Sequence, residues 1–209
     1  MLAESRLTRA EEKETGRVEA FSDGVFAIAI TLLVLELKVP HGDGALGPRL
    51  LAQWPSYAAF LTSFGTIGIM WINHHRLFSL MRRVDHTLLV VNGLLLLGVT
   101  VTPFPTALIA DQWGHPGAKL AATVYSGVFV VIAIVFNALW RYASSPRRAP
   151  AILRVPHDSP EVRAIHEQYR WGPIFYLLAF VLSFWRADAS VGVCAGLALF
   201  FALPPRTAS

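Results

Sequence analysis

Twelve consecutive side chains, Gly24 to Leu35, carry no charge, and Asp23 and Glu36 bracket them. A polar cluster running from Arg17 to Asp23 leads straight into this stretch. Such a pattern predicts a helix that enters hydrocarbon from an aqueous surface, over about 17–38. The apolar run is longer than the core of a secretory leader, and no small-residue cleavage site follows, so a retained helix is expected. Five further apolar runs predict helices over about 51–72, 87–110, 119–140, 171–185 and 189–203. Pro103 and Pro105 should kink or break the third, because proline lacks the amide donor and clashes with the preceding turn. The last two are short for a full crossing. Glycines and prolines between 40 and 48 mark a loop, and 141–170 is a long polar connection with an amphipathic helix over 161–169.

Composition places these runs in the membrane class: 54% of the 209 residues are hydrophobic, 15% are charged, and mean hydropathy is +0.48. The expected architecture is an all-α membrane protein of six transmembrane helices. Residues 1–16 are expected as a frayed cytoplasmic tail, 17–203 as one transmembrane domain, and 204–209 as a second tail. Fourteen of the eighteen lysines and arginines fall in the two termini and the connections after the second and fourth helices. The positive-inside rule therefore puts both termini in the cytoplasm. It also accounts for the net charge of +4 without nucleic acid. Trp54, Trp113, Trp140, Trp171 and Trp185 are expected at the membrane interfaces. The single cysteine, Cys194, excludes a disulfide framework and a multi-cysteine metal site.

At 100° per residue, Gly24, Ile28, Thr31 and Leu35 share one stripe of the first helix. Asp23 lies about 140° from Ile28 and points toward neighbouring helices. The stripe is either a packing seam or the lining of a path. A carboxylate at the mouth of a membrane segment is costly in lipid and needs a partner. His74, at the same depth, is expected to donate to Asp23 or to form an interfacial pair with His75. Asn92 is read as interhelical glue. No carboxylate or cysteine stands at ligand spacing from His74, His75 or His86, so no metal site is expected. Catalytic signatures are absent, as are a carbonyl-lined filter sequence and an arginine-repeat voltage sensor.

Arg17-x-x-x-Phe21-Ser22-Asp23, followed by Trp71-x-x-His74, Leu77-Phe78, Asp85, Asn92 and Pro103-Phe104, resembles the signature of the transmembrane protein 175 family of potassium channels. The likeness is strongest over the first three helices. It implies a homotetramer in a bacterial plasma membrane with a pore on the symmetry axis, lined by first helices and lacking a carbonyl filter. Carried over from Asp23, the constriction residues match Ile28, Thr31 and Leu35. Arg17, Phe21, Ser22 and Asp23 would then brace that helix against His74 and Asn92. The expected function is a potassium-permeable, non-voltage-gated leak channel, modestly selective over sodium, with K+ passing a Thr31 ring and Ile28 as a hydrophobic gate. No cofactor is expected; the partners are other copies of the chain, the bilayer and monovalent cations. An alternative is a proton-conducting channel or secondary transporter using Asp23 and His74 as a relay.

Overall fold

The computed structural model describes residues 2–202, and the expected tail over 204–209 lies outside them. Helix α1 runs from Leu2 to Leu32 and tightens into a 3-10 turn, η1, over Leu33–Glu36. The segment expected as a frayed tail is thus helical from Leu2 and continuous with the first apolar run. The backbone turns back through Gly42 (φ +127°) and Gly44 (φ +106°), a left-handed conformation that glycine adopts without strain. The Arg49 guanidinium fastens this loop by donating to the carbonyls of Pro40, Gly42 and Gly44.

Two helices, α2 (Leu46–Ala52) and α3 (Trp54–Ser79), return across the molecule. Helix α4 (His86–Val101) starts where the Asp85 carboxylate accepts the Leu88 N–H at 2.8 Å, an N-cap. It breaks at Thr102, and α5 (Pro103–Gln112) resumes with proline in its first turn, where no amide donor is needed. The kink predicted at Pro103 is therefore an interruption between two helices. Helix α6 (Ala118–Ala143) crosses next. The short α7 (Ala149–Ile152) and α8 (Pro160–Tyr169) follow, α8 burying Val162, Ile165 and Tyr169 on one stripe. Helices α9 (Gly172–Ser183) and α10 (Ala187–Ala202) close the bundle.

Three helical stretches are long and apolar enough to cross a membrane: Glu14–Glu36, His86–Gln112 and Ala118–Ala143. Helix α3 has the length, at 26 residues, but is more polar, while α9 and α10 have 12 and 16 residues.

The largest apolar core surrounds α6, whose Tyr125, Phe129, Ile132 and Trp140 are fully buried among α4, α5, α9 and α10. Trp140, expected at an interface, is instead 1% exposed, and its indole donates to His166 at 3.2 Å. Helix α1 touches that core only at its edge, through Val18. It packs one face on α3 and α4 through a smaller cluster of Phe26, Ala29 and Leu33 with Ile67, Leu96 and Val99.

The connections after α3 and α6 meet at one end of the bundle, called here the basic end. Arg82 N–H donates to Ile152 and Arg154 N–H to Leu80, both at 2.8 Å. The Tyr142 hydroxyl donates to Asp85 at 2.7 Å, and Thr15 of α1 donates to the Arg82 carbonyl at 3.1 Å. Burial alone would raise the Asp85 carboxyl, but the Tyr142 and Leu88 hydrogen bonds and the Arg148 guanidinium outweigh it and hold the group below its usual range.

Candidate ion pathway along the first helix

Two stripes running along α1 into η1 have identical spacing and opposite environments. Ser22, Phe26, Ala29 and Leu33 are at most 1% exposed. Gly24, Ile28, Thr31 and Leu35, each two residues further along, are all exposed. Two residues turn a helix by about 200°, so the stripes lie back to back. Ile28 at 60% and Leu35 at 70% exposure are uncharged side chains that no described residue covers. Arg17 and Phe21 also lie on the exposed side, Phe21 at 67%. Phe21 is therefore turned away from His74 and Asn92, against which the sequence had it brace the helix; no described element covers it.

The covered face of α1 is fixed by a ladder of polar contacts near the basic end. Glu19 lies 2.7 Å from His75 Nδ1, and Asp23 accepts the Trp71 indole N–H at 2.8 Å. Four residues forward along α1 correspond to four residues back along α3, the register of antiparallel neighbours. Between these rungs, Asn92 of α4 donates to Ser22 Oγ at 3.0 Å, and its Oδ1 bonds His74 Nε2 at 2.9 Å. Because that amide oxygen can only accept, His74 Nε2 carries the proton. Ser22 passes its own hydroxyl proton to the Val18 carbonyl at 2.9 Å. Ser22, Asn92 and His74 are all at most 3% exposed, so three helices are joined through a buried hydrogen-bonded chain.

One expectation is corrected here. His74 does not donate to Asp23; Trp71 does, and His74 is turned to Asn92 with its ring stacked 4.3 Å from Phe78. The reason is directional. On α3, Trp71 lies one turn nearer than His74 to the level of Asp23, and its indole donor reaches outward to the half-buried carboxylate. The His74 ring lies between the Phe26 and Phe78 rings, and its Nδ1 has no hydrogen-bond partner among the described residues. The Trp71 contact was not expected from the sequence; the signal for it was the spacing of Trp71 and His75, which repeats that of Asp23 and Glu19.

Further out, a second buried chain joins α3, α5 and α6. Thr106 donates to Ser63 at 2.7 Å, and Ser63 lies 3.1 Å from the Tyr125 hydroxyl. It does not touch α1. Along the exposed stripe, Thr31 donates its hydroxyl proton to the Ile28 carbonyl at 2.9 Å. The oxygen lone pairs are then left to the outside of the helix, where they can only accept or coordinate.

A family model described as the endosomal/lysosomal potassium channel TMEM175 matches residues 17–103. A potassium channel of Chamaesiphon minutus is 57% identical over 197 residues, covering 92% of this chain and 96% of that one. A potassium channel of Streptomyces collinus is 46% identical over 191 residues, covering 90% and 91%. The fold superimposes with a TM-score of 0.82 on a crystal structure of a lysosomal potassium-selective channel TMEM175 homolog from Chamaesiphon minutus. That match has 56% sequence identity and covers 91% of this chain and 97% of that one. Identity at this level across nearly the whole of both chains means that the chain belongs to the TMEM175 family, which comprises ion channels and not enzymes.

Proposed function

We propose that the protein is a potassium-permeable leak channel in which four copies surround one pore and each contributes the Gly24–Ile28–Thr31–Leu35 stripe of α1. The observation that carries this reading is the pair of back-to-back stripes. One face of α1 is tied to its own subunit by Ser22, Asp23 and Phe26, while an uncharged row on the other face is left uncovered. The similarity to two bacterial potassium channels supports the choice of ion. In this reading the main helices make six crossings, both termini face the cytoplasm, and the basic end is the inner one, in keeping with the positive-inside rule. The membrane is the bacterial plasma membrane.

Ile28 forms the hydrophobic constriction and passes ions only when the helices part enough for it to wet. Thr31 offers a ring of hydroxyl oxygens whose protons are committed to the backbone, so each presents an acceptor to the conduit. Potassium gives up its water more readily than sodium, and selectivity of about tenfold, roughly 1.4 kcal/mol, is the expected scale. Arg17 and Phe21, exposed in the single subunit, would meet the neighbouring copy.

Purified protein in liposomes under a potassium gradient tests the reading. Valinomycin-independent flux is expected, Ile28→Asn should raise it and lower discrimination against sodium, and Thr31→Ala should bring the K+/Na+ ratio toward one. Unchanged reversal potentials in both variants would remove the pore assignment. A proton relay through Asp23 and His74 is less well supported, since the two side chains belong to separate hydrogen bonds. A pH-sensitive dye inside the same liposomes separates proton from potassium flux.

A further inference from the structure

Helices α8 and α9 run antiparallel to α6 in one shared register. Trp140 of α6 donates to His166 at 3.2 Å, and Asn137 donates to the Tyr169 carbonyl at 2.9 Å. Farther along, Phe129 stacks on Tyr176, and the Thr123 and Ser183 hydroxyls lie 2.7 Å apart. Each step back along α6 is matched by a nearly equal step forward along α8 and α9, so residues of the two can be set level with one another. Trp171 lies level with about Val135, and Trp185 with about Ala121.

On that scale the neighbouring helices disagree about where hydrocarbon ends. Helix α6 is uncharged from Leu120 to Trp140, about 31 Å, the height of an ordinary bilayer core. Helix α9 and its flanks are uncharged only from Trp171 to Trp185, about 21 Å. At the outer end the limits nearly coincide, Lys119 on α6 against Arg186 beyond α9. At the basic end they do not. Arg170 falls level with about Phe136, where α6 has about 8 Å of apolar chain left before Arg141.

The charges there are not hidden. Arg170 and Glu167 pair at 3.0 Å with side chains 51% and 68% exposed, and the guanidinium lies 4.7 Å from the centre of the Trp171 ring. A guanidinium held by both neighbours does not stretch along the bundle to water as a lone arginine would. On α9 itself Ile174, Phe175, Leu177, Leu178 and Val181 are exposed. The main packing partners of α9 are α6 and α10, and α1 is not among them.

We propose that the edge formed by α9 and the end of α8 meets lipid and draws the inner leaflet in, so that the bilayer there is thinner than at a distance and favours phospholipids with short acyl chains. The headgroup layer follows Glu167 and Arg170, because charge in hydrocarbon is expensive while a bilayer thins at modest cost per ångström. Tilting α9 deepens the step, since a tilted helix of fixed length spans less height. The inference rests on the six-crossing reading above, in which α9 passes from the inner, basic end to the outer one.

Electron cryomicroscopy of the whole protein in nanodiscs of dioleoyl phosphatidylcholine tests it. Expected is an inner headgroup layer that steps toward the bilayer centre by about 5–8 Å beside α9, with the outer layer level. Glu167→Leu combined with Arg170→Leu should at least halve that step. A flat inner layer beside wild-type α9, or a second copy of the chain packed on Ile174 and Leu178, would overturn the proposal. In vesicles, quenching of tryptophan fluorescence by brominated lipid reads chain preference. Dimyristoleoyl phosphatidylcholine should displace the brominated lipid at least twofold better than the dierucoyl form, and equal displacement would sink the preference. Should the double variant not fold, the wild-type image and the chain-length comparison decide. Labelling checks the crossing separately: Arg186→Cys in spheroplasts should react with an impermeant maleimide from outside, Cys194 being buried. Labelling with a flat inner layer would leave the crossing standing and remove only the thinning; no labelling would remove both.

Discussion

The two halves of α1 are one helix under two different regimes. From Glu19 to Asp23 the helix is tethered by polar contacts to two side chains of α3, His75 and Trp71, and one of α4, Asn92, all within two turns. From Ile28 to Glu36 nothing polar reaches it from another element among the described residues; it is held by Ala29 and Leu33 against Ile67, Leu96 and Val99, and there it tightens into η1. Directed bonds fix rotation and register, because they are lost within a fraction of an ångström. Apolar packing holds position while tolerating small sliding. The comparison teaches that a helix can be anchored at one end and left able to move at the other, which is what the proposed hydrophobic constriction on the loosely held half requires.

Leu33→Ala should have the largest effect on stability. Leu33 is fully buried, and deleting such a side chain costs about 2–5 kcal/mol through lost burial and the cavity left behind. Thermal unfolding of the solubilised protein measures it, and a change below about 1 kcal/mol would mean that the far half is not held by packing. Next comes Asn92→Leu, which removes the donor to Ser22 Oγ and orphans the His74 N–H at once, and should cost about 2–3 kcal/mol. A double-mutant cycle with Ser22→Ala checks the chain: the two losses should be clearly less than additive, since both break the same link. Additive losses would argue against a shared network.

Trp71→Phe keeps the ring and removes only the indole donor to Asp23. The expected loss is about 1 kcal/mol, with the tether gone and the helix still packed. Potassium flux should rise in this variant if the polar half sets the position of the constriction, and unchanged flux would uncouple the two halves. The smallest effect is expected at the frame of the basic end. Asp85→Ala removes the α4 N-cap and should cost about 1 kcal/mol at neutral pH. Because the folded carboxyl titrates below its unfolded value, its contribution is full above the unfolded value and fades as pH falls through the folded one. Melting curves of wild type and variant should therefore converge in strong acid, and a constant gap would show that the charge plays no part.

The stripe Gly24–Ile28–Thr31–Leu35 was legible in the sequence because helical periodicity depends only on spacing, and the uncharged run left no other regular structure for it. For the same reason the break at Pro103 and the amphipathic α8 fell within a residue or two of their expected places. Partner choice was not legible. Asp23, Trp71, His74 and Asn92 all stood at a similar depth, and spacing does not say which donor meets which acceptor. Trp140 had the composition of an interfacial residue and a place in the core, because α8 folds back over that end of α6 and supplies His166.

The sequence by itself determined that this is a helical membrane protein, where its apolar runs lie, and which residues of the first one share a face. All of that follows from local periodicity, proline chemistry and the cost of charge in hydrocarbon. The tertiary structure alone decided that the face with Ser22 is covered and the face with Ile28 is not, that Asp23 belongs to Trp71, and that α8 and α9 keep one register along α6. Those outcomes depend on the relative rotation and spacing of helices far apart in the chain, and no local pattern encodes them.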